Sequence, residues 1–202
     1  MRRAVLAIAA VSVTVLAGCT SVGGGTPTPA STTKSTGAAT TTSESPTEGD
    51  APPITGPALD LGKVSGPCDL LKADQLAARG VTKPGTEETD PAGPGCKWQP
   101  DDPGRGTSID VTILSESDGL DGMYARRELF PVFEPVEIAG YPAVNGDVTD
   151  AKHGECSTAV GVAQGEGFLI QVFVYDQKSP AFSTPCSVSS AIAETVVGNL
   201  KG

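Results

Sequence analysis

Five cysteines and one histidine carry most of the chemistry that this 202-residue sequence can do. Cys19 closes the run Leu16-Ala17-Gly18-Cys19, where small residues lead into a thiol at the end of an apolar stretch. The run matches the bacterial lipobox, in which the thiol receives a diacylglycerol and the cysteine becomes residue one after cleavage. The other four, Cys68, Cys96, Cys156 and Cys186, are an even set in an exported chain and read as two disulfides. Gly66-Pro67-Cys68 and Thr184-Pro185-Cys186 each place a proline at a first helical position with the cysteine in the first turn. Cys96 and Cys156 lie beside strand-like runs instead. Pairing sequence neighbours then ties a helix to a strand twice, so Cys68 is expected with Cys96 and Cys156 with Cys186. Loops of about thirty residues give roughly 3 to 4 kcal/mol each by the chain-entropy argument. A redox role is the rival, because a helix N-terminus lowers a thiol pKa, but there is no Cys-x-x-Cys.

The remaining chemical candidates are weak. His153 lies in the polar loop Asp147 to Glu155 with no activated serine near it in sequence, so a solvated loop histidine is the better reading. Ser31-Thr32-Thr33-Lys34 spells Ser-x-x-Lys, but in a segment with no helix to bring lysine to serine. Asp118-Gly119-Leu120-Asp121-Gly122 lacks the alternating oxygens and closing glutamate of a calcium loop and suits helix capping by Asp118 or Asp121. Asp101-Asp102-Pro103-Gly104 is a turn, and Gly161, Gly165 and Gly167 belong to a hairpin. Trp98 reads as a core or disulfide-packing residue rather than a stacking platform. No nucleotide loop, zinc helix or nucleophile elbow is present in the sequence, so no catalytic residue, cofactor-binding residue or metal ligand is assigned.

The elements that must position these residues fall into three stretches. Arg2 and Arg3 precede an apolar run, Ala4 to Ala17, shorter than the ~20 residues that span a bilayer, so 1–18 reads as a lipoprotein signal peptide. Residues 19–64 comprise the lipidated cysteine and a Thr/Ser/Pro/Gly tether that has little to bury and is expected to be disordered. Residues 65–202 read as one extracytoplasmic α+β domain. Leu70, Leu71, Leu76, Ala77 and Val81 mark a short helical region ending near Gly80. Ser108 to Ile113 alternates as a half-buried strand, and Asp118 to Phe130 has helical spacing up to Pro131. Val136 and Ile138 turn through Ala139-Gly140 into a proline-bearing edge strand from Tyr141, while Phe168 to Tyr175, apolar on both faces, reads as a central strand. Val188, Ile192, Val196 and Leu200 form an i+4 ladder on a terminal helix. Short connections between consecutive strands predict an antiparallel, curved β-sheet of about six strands packed with two or three helices.

Composition narrows the function classes. Gly 25 and Pro 17 exclude a long helical bundle or a multi-span membrane protein. The net charge of -10, made two units more negative by loss of Arg2 and Arg3, excludes phosphate-driven nucleic-acid binding.

Pro67-Cys68-Asp69-Leu70-Leu71, Ala73-Asp74-Gln75-Leu76, Gly95-Cys96-Lys97-Trp98, Gly140-Tyr141-Pro142-Ala143 and the terminal helix at Cys186 together resemble the actinobacterial lipoprotein family known as domain of unknown function 3558. The likeness covers about residues 65 to 200 and departs at Lys72, where a Thr or Ser cap is usual. It implies an actinobacterial cell envelope and no established activity. The layout is also similar, at fold level only, to PsbP-like and Mog1-like domains. The function expected is a noncatalytic envelope lipoprotein, held at the cell membrane on its extracytoplasmic face through Cys19, whose domain binds a protein, a glycan or a small apolar ligand. The alternative is an enzyme or enzyme subunit using carboxylates such as Asp110, Glu116, Glu134 and Glu137.

Overall fold

Seven strands form one fully antiparallel, curved, open sheet: β1 Thr86–Asp90, β2 Gly93–Trp98, β3 Thr107–Ile113, β4 Val132–Ile138, β5 Tyr141–Asp147, β6 Glu155–Ala163 and β7 Glu166–Val174. The computed structural model describes residues 50–149 and 152–202. Cys19, the signal peptide, Ser31, Lys34 and most of the expected tether lie outside the described residues. The strand order is β1-β2-β3-β7-β6-β5-β4, so β7 is central, as its two apolar faces predict. Four α-helical segments accompany the sheet: α1 Ala73–Ala77, α2 Gly119–Tyr124, α3 Pro180–Ser183 and α4 Pro185–Lys201.

The main core lies between one sheet face and α4. Ile192, Ala193, Val196 and Val197 meet Ile170, Phe168, Val160 and Val162, and all eight side chains are fully out of water. Leu70, Leu71, Leu76 and Trp98 extend this core toward β2. Both disulfides fasten the same layer: Cys68 to Cys96 and Cys156 to Cys186, with Cα separations of 5.1 and 5.0 Å. Each joins the first turn of a helical segment to a strand, since Pro67 begins a 3-10 turn and Pro185 begins α4. Trp98 is buried beside the first disulfide, and Gly85 approaches both so closely that a Cβ there would overlap Cys96 Sγ and the Trp98 indole.

Beside the second disulfide a buried polar cluster completes the packing of α4. Asn145 Oδ1 accepts from Thr158 Oγ1 at 2.7 Å and from Ser190 Oγ at 3.0 Å, and Ser189 Oγ donates to Cys186 O at 3.1 Å. The Thr158, Ser189 and Ser190 hydroxyls and the Asn145 carbonyl oxygen find partners within the fold, so the cluster is structural.

Several local expectations are corrected. The packed domain begins before residue 65. Leu59 and Leu61 are buried, Leu59 N–H donates to Val162 O at 3.0 Å, and Tyr141 O–H donates to Pro57 O at 2.7 Å, so the last part of the stretch assigned to a disordered tether is a strap across the sheet. The edge strand of the Ala139-Gly140 hairpin is β4, carrying Pro135, while β5 with Pro142 is interior. Pairing of β5 to β6 starts only at Ala143, which leaves Pro142 without a ladder bond to break. The helix expected over Asp118 to Phe130 is α2 followed by a separate 3-10 turn, Arg127–Leu129. Asp118 stands at its N-cap in the left-handed conformation (φ 59°) and makes no side-chain cap, and Asp121 lies inside the first turn. At α1, Lys72 has no acceptor to offer, and the reciprocal half of a cap is made alone by Gln75 Oε1 accepting from Lys72 N–H at 2.9 Å.

Candidate functional site

The second sheet face is only partly covered. Over β5, β6 and β7, α2 lays Leu120, Met123 and Tyr124 on Val144 and Ala159, and Tyr124 meets Phe133 edge-on at 5.0 Å. Over β2, β3 and the far end of β7 no helix among the described residues covers the sheet, and polar residues line it.

Register fixes what meets there. Lys97 pairs with Asp110 and Asp110 with Gln171, while Ser108 pairs with Phe173 and Phe173 with Glu155. Side chains alternate along a strand, so these six share one face and form two adjoining rows. With Tyr175 they line a pocket of about 240 Å³. Lys97 Nζ donates to Asp110 Oδ2 at 2.8 Å, and Gln171 Nε2 donates to Glu155 Oε1 at 2.8 Å. Phe173 on β7 and Tyr175 just past its end have ring centroids 5.0 Å apart and tilted by 44°. Phe173 is 37% exposed.

The electrostatics of the pair are asymmetric. Burial pushes the Asp110 carboxyl above its ordinary range despite the opposing hydrogen bond and charge of Lys97. The same hydrogen bond raises the Lys97 ammonium, against a smaller lowering by burial. Asp110 Oδ1 is buried with no hydrogen-bond partner among the described residues. The arrangement therefore offers donors, acceptors and an aromatic edge at short range. It holds no nucleophile with an adjacent base. Both carboxylates already have protein partners, Asp110 in Lys97 and Glu155 in Gln171.

Of the carboxylates singled out from the sequence, the structure brings only Asp110 to this pocket. Glu116 is exposed in the turn after β3, and Glu134 and Glu137 are exposed on the edge strand β4, so they do not assemble into one site. His153 is exposed in the turn before β6. Sequence reasoning missed Lys97, Glu155, Gln171 and Phe173. The signal that finds them is register, because only the order β2-β3-β7-β6 brings four distant strands side by side.

Three further clefts surround the strap. One of about 440 Å³ runs between residues 51–58 and the β6–β7 turn at Gln164-Gly165. A second, about 580 Å³, lies between the strap and the Ala139-Gly140 turn, where Lys201 stands 5.0 Å over the Tyr141 ring. A third, about 420 Å³, lies between Leu61-Gly62 and the end of β3. These are surface grooves at one end of the sheet, whereas the space between sheet and α4 is filled by the core. No group of three or more potential metal ligands occurs among the described residues, and none of the described helices is long and apolar enough to cross a membrane.

A family model described as "Protein of unknown function (DUF3558)" matches residues 14–199. No curated protein and no solved structure matches the chain.

Proposed function

Since the chain belongs to the DUF3558 family, whose description assigns no activity, we propose that it is an actinobacterial envelope lipoprotein, anchored through Cys19 on the extracytoplasmic face of the membrane, whose domain is a noncatalytic binding module. Two disulfides suit an oxidising compartment, and the lipobox-like run ending at Cys19 supplies the anchor. Two or more acyl chains hold a protein stably where one does not. The observation that carries the binding reading is the uncovered pocket of Lys97, Asp110, Gln171, Glu155 and Phe173. It combines an exposed aromatic with polar groups that pair with each other and still keep hydrogen-bonding capacity, Asp110 Oδ1 among them, which suits recognition better than acid–base work.

The anchor is tested by growing cells with a fatty-acid probe. Wild-type protein takes up label and fractionates with membranes, and Cys19→Ala loses both. Label retained by Cys19→Ala would overturn the anchoring assignment.

A further inference from the structure

Resting on the binding-module reading, we infer that the pocket on the uncovered sheet face takes a neutral saccharide ring. The two polar rows exclude the other ligand classes by elementary cost. An acyl chain or apolar peptide segment would cover Lys97 and Asp110 without offering them hydrogen bonds, and burying such groups unpaired is expensive. An anion would meet Asp110 and Glu155 on a chain of net charge -10. A cation would have to displace or approach the Lys97 ammonium, which already holds Asp110 Oδ2 at 2.8 Å.

A ring bearing adjacent hydroxyls meets none of these penalties, because each hydroxyl both donates and accepts. Lys97 keeps donor capacity after its bond to Asp110, since an ammonium has three donors, Gln171 supplies an amide in the same row and Glu155 a carboxylate in the neighbouring one. Asp110 Oδ1, buried and without a hydrogen-bond partner among the described residues, is an acceptor that a hydroxyl seated against this row would satisfy. The C–H face of the ring would rest on Phe173, which is 37% exposed and has the Tyr175 ring beside it at a centroid distance of 5.0 Å. A volume of about 240 Å³ leaves room for one ring.

The test is saturation-transfer NMR on the full chain, with glucose, galactose, mannose, arabinose and N-acetylglucosamine as probes and oleate and putrescine as comparison ligands. The proposal predicts transfer to at least one sugar. Phe173→Ala and Asp110→Asn should each weaken that binding about tenfold, the scale of one lost stacking or charge-assisted contact. Circular dichroism confirms that each variant is folded, which is expected because Phe173 is exposed and Asn keeps the shape of Asp. Sugar binding that survives both substitutions overturns the site, and transfer to no sugar overturns the saccharide assignment. Transfer only to oleate or putrescine, lost in Phe173→Ala, overturns the saccharide assignment and leaves the binding module standing. No transfer to any of the seven probes counts against both.

Discussion

Asp110 is held between two opposing influences, burial that disfavours its charge and Lys97 that favours it, and burial prevails. The folded pKa therefore lies above the unfolded one, so the native state binds more protons across the interval between 3.8 and the raised value. Stability from this group is fully present below 3.8 and is lost as pH rises through the raised pKa. Thermal melts should show wild type gaining on Asp110→Asn as pH falls through that interval. Lys97 behaves in the same sense at the other end of the scale. Its raised pKa gives stability that is present below 10.5 and is lost as pH climbs through the higher folded value. A Tm difference between wild type and Asp110→Asn that stays flat under acid would show that burial of Asp110 has no energetic weight. Tyr141 offers a second residue-level test. Tyr141→Phe removes the 2.7 Å bond to Pro57 O and should cost about 1 kcal/mol, with faster amide exchange over residues 54–63 than elsewhere.

Among the elements, the strap and the disulfides carry separate parts of the stability. A chain beginning at residue 65 loses Leu59 and Leu61 from the core and should melt well below one beginning at residue 50. Leu59→Ala alone should cost about 2 to 4 kcal/mol. Cys156→Ser with Cys186→Ser, which opens a loop of 30 residues, should cost about 3 to 4 kcal/mol in a denaturant titration.

These elements differ in how plainly the sequence announces them. β7 and α4 were legible because continuous burial and an i+4 ladder leave few alternatives. The cysteine pairing was legible because proline places Cys68 and Cys186 at helix starts. β1 was not, since Thr86-Glu87-Glu88-Thr89-Asp90 is exposed throughout and is a strand only because β2 pairs with it. The strap was hidden for a related reason: Leu59 and Leu61 are two apolar residues among Pro and Gly, and their burial depends on Val162 and Tyr141, about a hundred residues away at the farther of the two. Asp110 was visible as a strand carboxylate. The pocket around it required cross-strand register, which no local pattern encodes.

For the whole molecule, one sheet face is sealed by α4 and two disulfides while the other is sealed by α2 over part of its extent. A scaffold that, among the described residues, leaves a mixed polar and aromatic patch uncovered is the form expected of a recognition domain, and the net charge of the chain, -10 and two units more negative without Arg2 and Arg3, would oppose contact with an anionic membrane surface. Membrane association should then depend on the acyl anchor alone, so Cys19→Ala should enter the soluble fraction at low as well as high salt. Retention at low salt would point to an electrostatic contact of the domain itself.

The central claim, that the pocket around Asp110 and Phe173 binds a ligand in the envelope, is tested most directly by native mass spectrometry of the protein drawn gently from its own membranes, comparing wild type with the double variant Asp110→Asn, Phe173→Ala. A ligand-bound mass in wild type that is absent from the folded double variant is the predicted result. Identical spectra for the two proteins, with the same adducts or with none, would contradict it.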